Sequence, residues 1–298
     1  MARKYHYIAF LPTLHAADNK QMVPEQRSLH PADETSIRSA ASPWKDERPP
    51  HLPCRRGELP RAVLFPGDPG RVDRFVSILE DFRIIGQNRE YRIGVGKYRG
   101  VELGVCSTGI GGPSTEIAIV EAASLGCKFA LRIGGTGALR ASIPVGALLI
   151  VTEALRGGGA AACYADPTCE AKAHPAMLQA LSTATAELNV TPMFATVAST
   201  DSYYLGQGRS LDFIASDPYA TLERYRQRGS DALDMEAETV LIVGEAVGLI
   251  SGAILAVHAN RATDAWLEDF GPAQDQMIAV GCEALRLLLQ ASEEEVSS

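Results

Sequence analysis

The stretch that most limits what this chain can fold into is VCSTGIGGPSTEIAIVEAASLG, residues 105–126. Residues 101–106 alternate apolar and small side chains and read as the end of a strand. Gly109, Gly111 and Gly112 then allow a tight turn, and Pro113 and Ser114 stand where a helix begins. Ile117, Val120 and Glu121 follow at helical spacing. A strand, a glycine turn and a helix N-terminus in succession leave backbone amides uncovered, which suits an anion or a sugar hydroxyl.

The same alternation continues along the chain. Residues 62–65 form a short buried strand that turns at Pro66-Gly67-Asp68-Pro69, and 70–80 carry Val72, Phe75, Val76 and Leu79 on one helical face. Residues 91–95 and 97–106 read as a hairpin about Gly96. Strands are expected at 129–133, 147–152, 194–199, 232–235 and 254–258, and helices at 174–188, 236–247 and 274–290. Residues 157–172 look loop-like, and 205–230 are mixed in character and placed to cover a site. Strands alternating with helices of this length predict an α/β fold: a central mixed, largely parallel sheet covered by helices on both faces. With no repeat and no interior linker, 51–293 form one domain. Residues 1–50, proline-bearing and without sustained period, read as an extension of little regular structure. Residues 294–298 form a C-terminal tail.

Composition enters as a filter. The 28 basic and 36 acidic residues leave a formal charge of −8, which argues against nucleic acid or an acidic membrane surface as partner. No apolar run approaches a membrane span, and the N-terminal apolar patch is too brief for a secretory signal. The six cysteines show neither CxxC nor Cys/His spacing, so a zinc site is not expected, and a reducing, cytoplasmic setting fits.

In sheets of this kind reactive groups gather beyond the C-terminal ends of the strands. Four predicted strands end suggestively, at Gly67/Arg71, at 108–112, at 132–137 and at Met235-Glu236. Arg132 lies within an otherwise apolar strand. A buried guanidinium needs a partner, either a core carboxylate or a bound oxyanion, and the glycine turns nearby favour the oxyanion for both Arg71 and Arg132. Glu236, at a strand end beside a helix N-terminus, suits either the helix dipole or a sugar diol. Residues 198–209, ASTDSYYLGQGR, read by composition as a polar loop. Their rings, amide and guanidinium would equally suit a flat heterocycle. No nucleophilic triad, paired carboxylates or Walker spacing is present, and Gly134-Gly135-Thr136-Gly137 lacks the GxGxxG order.

Taken together, FPGDPGRVDRF (65–75), NREY (88–91), CSTGIGGPSTEIA (106–118), LRIGGTGAL (131–139), ASTDSYYLGQGR (198–209), ALDMEAETVL (232–241) and VHANRAT (257–263) resemble the nucleoside phosphorylases of the trimeric/hexameric type, and within that family the uridine phosphorylases. The pieces occur in family order over 51–293. The resemblance implies phosphorolysis of uridine, with deoxyuridine and thymidine as further substrates, to uracil and a (deoxy)ribose 1-phosphate. By match, Gly67, Arg71, Arg132 and the backbone of Gly135 would bind phosphate, together with Arg89 from a neighbouring subunit. Met235 and Glu236 would hold the ribose, with His51 donated across the interface. Tyr203, Gln207 and Arg209 would hold the base. Arg71, Arg132, Glu236, Gln207 and Arg209 would carry catalysis.

The resemblance also implies a homodimer as the minimal unit, either alone or within a hexamer built as a trimer of dimers. Phosphate is a substrate, and no cofactor is required. Glu90, Ile110 and Ser114 match positions that hold a monovalent cation, K+, between subunits in some relatives. Purine-specific relatives lack the Gln-x-Arg feature and usually carry an acid where Asn260 stands, so a pyrimidine base is expected. One departure stands out: the family usually has Thr at Gly135, whose hydroxyl contacts phosphate and sugar. Thr136 or Thr108 would have to compensate. Otherwise the chain would be a catalytically weak nucleoside binder. A separate alternative is a hydrolytic nucleosidase of the same fold, using water in place of phosphate, which would have no need of the paired Arg71 and Arg132.

Overall fold

The computed structural model describes residues 39–297; residues 1–38 and 298, which include most of the expected extension, lie outside the described residues. From Pro43 onward the chain forms one compact unit. Between residues 39 and 50 the regular feature is an isolated bridge between Lys45 and Arg48.

The strands are β1 (Ala62–Pro66), β2 (Glu80–Asn88), β3 (Tyr91–Tyr98), β4 (Val101–Cys106), β5 (Phe129–Ala138), β6 (Leu148–Leu155), β7 (Ala171–Lys172), β8 (Met193–Ser199), β9 (Ala232–Asp234), β10 (Ile250–Asn260) and β11 (Ala265–Trp266). The helices are α1 (Gly112–Leu125), α2 (Pro175–Glu187), α3 (Pro218–Gln227), α4 (Ala237–Ala246) and α5 (Gly271–Ser297), with a 3-10 segment over Pro69–Ser77. One mixed sheet joins the strands. It is parallel along β4-β1-β5-β10 and along β6-β8-β9, and antiparallel elsewhere. Because β10 pairs with both β5 and β6, and β9 closes back onto β5, the strands β5, β10, β6, β8 and β9 form a closed ring.

Period-2 alternation explains how the layers assemble. Ala62 and Leu64 of β1 and Leu131 and Ile133 of β5 pack with Met277, Ile278 and Leu285 of α5. Val63, Phe65 and Ala130 point the other way, into a core with Ile119 and Ala122 of α1 and Val240 and Val243 of α4. A strand buried on both faces reads as a continuous apolar run, as 62–65 does.

Several expectations change. The hairpin turns at Arg99-Gly100, both at positive φ, and not at Gly96. Gly96 is inside β3, where a Cβ would fall 2.9 Å from Cβ of Leu79. The strand β2 was not expected; its pattern is irregular because it lies at the sheet edge with shifts in its register to β3. Helix α3 lies in the stretch read as mixed. α5 continues through 294–297, where a tail was expected.

Candidate active site

The ends of β1, β5, β9 and β10, the β4–α1 turn and the loop after β8 surround a cavity of about 770 Å³. Gly67, Arg71, Ile110, Arg132, Gly135, Tyr203, Gln207, Arg209, Met235 and Glu236 all line it, so most of the expected site residues are brought together.

The glycine turn holds an anion, but that anion is part of the protein. Gly111, at φ 92° where a side chain would be strained, caps α1, and its N–H donates to Oε1 of Glu236 at 2.6 Å. The Gly109 N–H donates to the Gly67 carbonyl at 2.9 Å. Those two amides are therefore not open to a ligand, contrary to the reading from sequence. Glu236 instead becomes a fixed carboxylate at the cavity wall.

Arg132 is paired as well. Its Nε lies 3.0 Å from Oδ2 of Asp234 and its Nη2 lies 2.6 Å from Oε2 of Glu236, with all three side chains buried. Burial alone would push the guanidinium down; Glu236 and Asp234 outweigh it and hold Arg132 above its ordinary value. Burial pushes the Glu236 carboxyl up, opposed by Arg132 and the Gly111 N–H. The expectation that Arg132 faces an oxyanion in place of a core carboxylate is thus corrected. It holds two carboxylates, while three of its five N–H donors are not committed by those contacts. Gly134 makes this possible: a Cβ there would fall 2.7 Å from Nη2 of Arg132, so the guanidinium folds back over bare backbone.

Arg71 differs. It has neither an ion pair nor a side-chain hydrogen bond among the described residues. Burial, and secondarily the neighbouring Arg132, lower its proton affinity, against the attraction of Asp68. A half-buried guanidinium with no acceptor is a seat for an external anion.

On another wall, Gln207 ends a 3-10 turn over Leu205–Gln207 and is 6% exposed. Nη1 of Arg209 donates to Oε1 of Gln207 at 2.8 Å and to the Tyr203 carbonyl at 2.6 Å, and its Cζ lies 3.7 Å from the centre of the Tyr203 ring. Arg261 clasps the loop from beneath, donating to the carbonyls of Gln207 and Gly208 at 2.9 and 2.8 Å. An amide, a guanidinium and an aromatic ring are thereby fixed together, as a planar heterocycle with carbonyls requires.

His51 and Arg89 are not among the lining residues. Nδ1 of His51 lies 2.7 Å from Oε1 of Glu121, and the His51 carbonyl accepts from Nδ2 of Asn88, next to the exposed Arg89. Glu90 and Ser114 both border Gly109: a Cβ there would fall 2.9 Å from Cγ of Glu90 and 3.3 Å from Oγ of Ser114. Ile110 is 79% exposed. These residues occupy one edge of the unit beside the cavity.

Asn260 does not read a base. Its amide donates to the carbonyls of Arg140 and Ile143 and its oxygen accepts from the N–H groups of Ala262 and Thr263. Both hydroxyls offered as substitutes at Gly135 are occupied: Thr136 donates to the Leu233 carbonyl at 2.7 Å and Thr108 to the Gly109 carbonyl at 3.1 Å. Sequence reasoning missed Asp234, Arg261 and His258. Each stands inside a quoted motif, and a histidine closing a wholly apolar strand was the available signal.

Comparison with known proteins agrees with this geometry. The sequence profile of the Phosphorylase superfamily matches residues 61–290. The chain is 39% identical over 248 residues to the uridine phosphorylase of Thermococcus kodakarensis, covering 82% of this chain and 88% of that one. It is 34% identical to the guanosine phosphorylase of Halorubrum lacusprofundi, covering 71% and 83%. Its fold superposes on the crystal structure of uridine phosphorylase from Vibrio fischeri with a TM-score of 0.72 at 27% identity, over 79% of this chain and 96% of that one.

Proposed function

The chain belongs to the Phosphorylase superfamily, and on that premise we propose that its cavity cleaves uridine with inorganic phosphate, giving uracil and ribose 1-phosphate. One observation carries the reading: the unpartnered Arg71 guanidinium opens into the same cavity as the Gln207–Arg209–Tyr203 cluster. An anion seat and a heterocycle reader share one space, as attack of phosphate on a nucleoside requires.

The chemistry follows from charge. Phosphate is a weak nucleophile and uracil a modest leaving group, so bond breaking runs ahead of bond making and the sugar gains positive character. Phosphate on Arg71 and on the uncommitted donors of Arg132 faces that charge and is placed to attack. Glu236, fixed by Gly111 and Arg132, retains lone pairs for the ribose hydroxyls, and its negative charge lies beside the developing cation. Met235 packs against the sugar. Negative charge growing on the base is met by the Gln207 amide and the free donors of Arg209. Those same groups favour the carbonyl and N–H edge of uracil over a purine.

Arg89 and His51, lying outside this chain's own cavity on one shared edge, are offered to the site of a second copy, so that a homodimer is the smallest complete unit. Glu90, Ile110 and Ser114 on that edge supply one carboxylate, one carbonyl and one hydroxyl oxygen. A K+ ion held there would complete its shell from the second copy. Six unpaired thiols, with Cys163 and Cys169 exposed, fit a reducing, cytoplasmic setting.

The test is incubation with uridine, with and without phosphate. Phosphate-dependent release of uracil and ribose 1-phosphate is expected. Release of free ribose at the same rate without phosphate would replace this reading with hydrolysis, and preferred cleavage of guanosine would overturn the base assignment.

A further inference from the structure

The place beside Gly135 is occupied. His258, near the end of β10, presents its imidazole there: a Cβ added to Gly135 would fall 2.4 Å from Nδ1 and 2.6 Å from Cε1. The ring stacks on Phe270, with centroids 4.4 Å apart and planes 20° from parallel. The stack fixes the plane of the ring, and its Nδ1–Cε1 edge lies against bare backbone at the cavity wall.

That position is costly for a histidine. Nε2 is buried without a hydrogen-bond partner, and neither ring nitrogen is bonded to any of the described residues. Every residue from Gly252 to Val257 is buried, and a leucine or valine would continue the strand without stranding a polar atom. Arg71 is the charged group that acts on the ring; Phe270 and Gly135 carry no charge. Burial first, and Arg71 second, push the imidazole down to about 4, so at neutral pH it is uncharged and offers one N–H and one bare nitrogen. Beside it, Arg71 has no carboxylate at ion-pair distance among the described residues, and the hydroxyls of Thr136 and Thr108 are spent on backbone carbonyls.

We propose that His258 is a substrate-contacting residue, its imidazole N–H donating to the phosphate held by Arg71 in the space that a side chain at position 135 would fill. This rests on the phosphorolytic reading of the cavity. The ring adds a directed donor without adding a second positive charge beside Arg71. Gly135 is then a requirement of the site, since any Cβ there would displace the donor.

The experiment compares wild type, His258→Leu, His258→Val and His258→Gln. Isothermal titration with inorganic phosphate gives affinity without reference to turnover, and the KM values for phosphate and uridine are measured separately. His258→Leu and His258→Val should weaken phosphate by about tenfold or more, leave the uridine KM within about twofold, and melt no lower than wild type because a stranded nitrogen is gone. His258→Gln, which retains an N–H, should recover part of the affinity. Should His258→Leu not fold, His258→Val, whose side chain is smaller than the imidazole, carries the comparison. Phosphate affinity unchanged in the folded apolar variants, or equal losses for phosphate and uridine, would overturn the proposal. If wild type binds phosphate, loses that binding in His258→Val and yet shows no phosphorolysis, the phosphorolytic reading fails while the role of His258 in the anion seat stands.

Discussion

Nη2 of Arg132 lies 2.6 Å from Oε2 of Glu236, while Arg71 in the same cavity has no acidic partner within ion-pair distance among the described residues. The two arginines of the site therefore do different work: Arg132 organises two carboxylates and has only its uncommitted donors for phosphate, while Arg71 has its whole guanidinium for it. Arg71→Ala should fold with a melting temperature close to wild type, because no ion pair or side-chain hydrogen bond among the described residues is lost, and raise the phosphate KM by on the order of a hundredfold. Arg132→Ala should leave Asp234 and Glu236 buried without their cation, at a cost of about 3–5 kcal/mol. Thermal melts paired with phosphate kinetics separate the two. Equal destabilisation in both variants would contradict the division.

Gln207→Ala tests the other wall. The backbone clasp from Arg261 to the Gln207 carbonyl survives this change, so the loop keeps its place. Only the amide is lost, and with it one of the two acceptors of Nη1 of Arg209, which keeps the Tyr203 carbonyl. The uridine KM should rise by roughly ten- to a hundredfold, the range for hydrogen bonds to a group that gains charge, with the phosphate KM within about twofold. Parallel changes in both constants would remove Gln207 from the base pocket.

Much of this site was legible beforehand, and the reasons differ by residue. Arg71 follows a glycine-proline corner at the end of a strand that apolar periodicity marks, whereas Gln207 lies in a loop that composition reads only as polar and was placed by the resemblance of the motifs taken as a set. The state of Arg132 was not legible. A buried arginine satisfied by carboxylates and one awaiting phosphate have the same local sequence, and the choice was made by Asp234 and Glu236, a hundred and more positions away. The glycine amides misled for the same reason, since their acceptors, Glu236 for Gly111 and the Gly67 carbonyl for Gly109, are remote in the chain. Helix α3 carried a readable signal in Asp217-Pro218, where the carboxylate accepts from the Ala220 N–H at 2.9 Å, but the helix buries only Leu222 and Tyr225, and so weak an apolar face was masked by polar neighbours. Asn260 shows the converse: a position compared by base preference, whose side chain is wholly engaged in holding a loop.

Restoring a hydroxyl at position 135 should harm the protein. From sequence, Gly135→Thr looks like a repair, yet the added Cβ would meet Nδ1 of His258 at 2.4 Å. The expected result is a lowered melting temperature and a higher phosphate KM, with the melting loss relieved when His258→Val is added to make room. A single Gly135→Thr variant that is more active and as stable as wild type would show that the ring yields freely.

The same ring sets a pH dependence. His258 is held at about 4 in the folded protein against an ordinary value of 6.5. Between those values the unfolded chain binds more protons, so the contribution of His258 to stability falls as pH drops through that window; above it the group is neutral in both states and contributes no slope. Melting temperatures of wild type and His258→Val should therefore diverge as pH is lowered from 7 toward 4, with wild type losing more. Parallel curves would mean that the imidazole protonates as readily folded as unfolded.

Arg89 and His51 lead to a test of subunit sharing that needs no new structure. The His51 carbonyl accepts from Asn88 at 2.8 Å, and Asn88 immediately precedes Arg89, so the two residues move as one edge, outside the cavity lining. If that edge completes a neighbour's site, Arg71→Ala and Arg89→Ala homodimers each lack a phosphate contact in every site. In a mixed dimer the site built on the Arg89→Ala chain keeps its own Arg71 and receives Arg89 from its companion, so it is whole; the other site lacks both. Random exchange makes half the dimers mixed, and about one quarter of all sites should regain full activity. Coexpression, or mixing after reversible dissociation, should give activity well above the sum of the two inactive proteins, saturating near that fraction. Activity that stays additive while exchange is verified by tagged pull-down would place Arg89 in its own chain's chemistry, or in none.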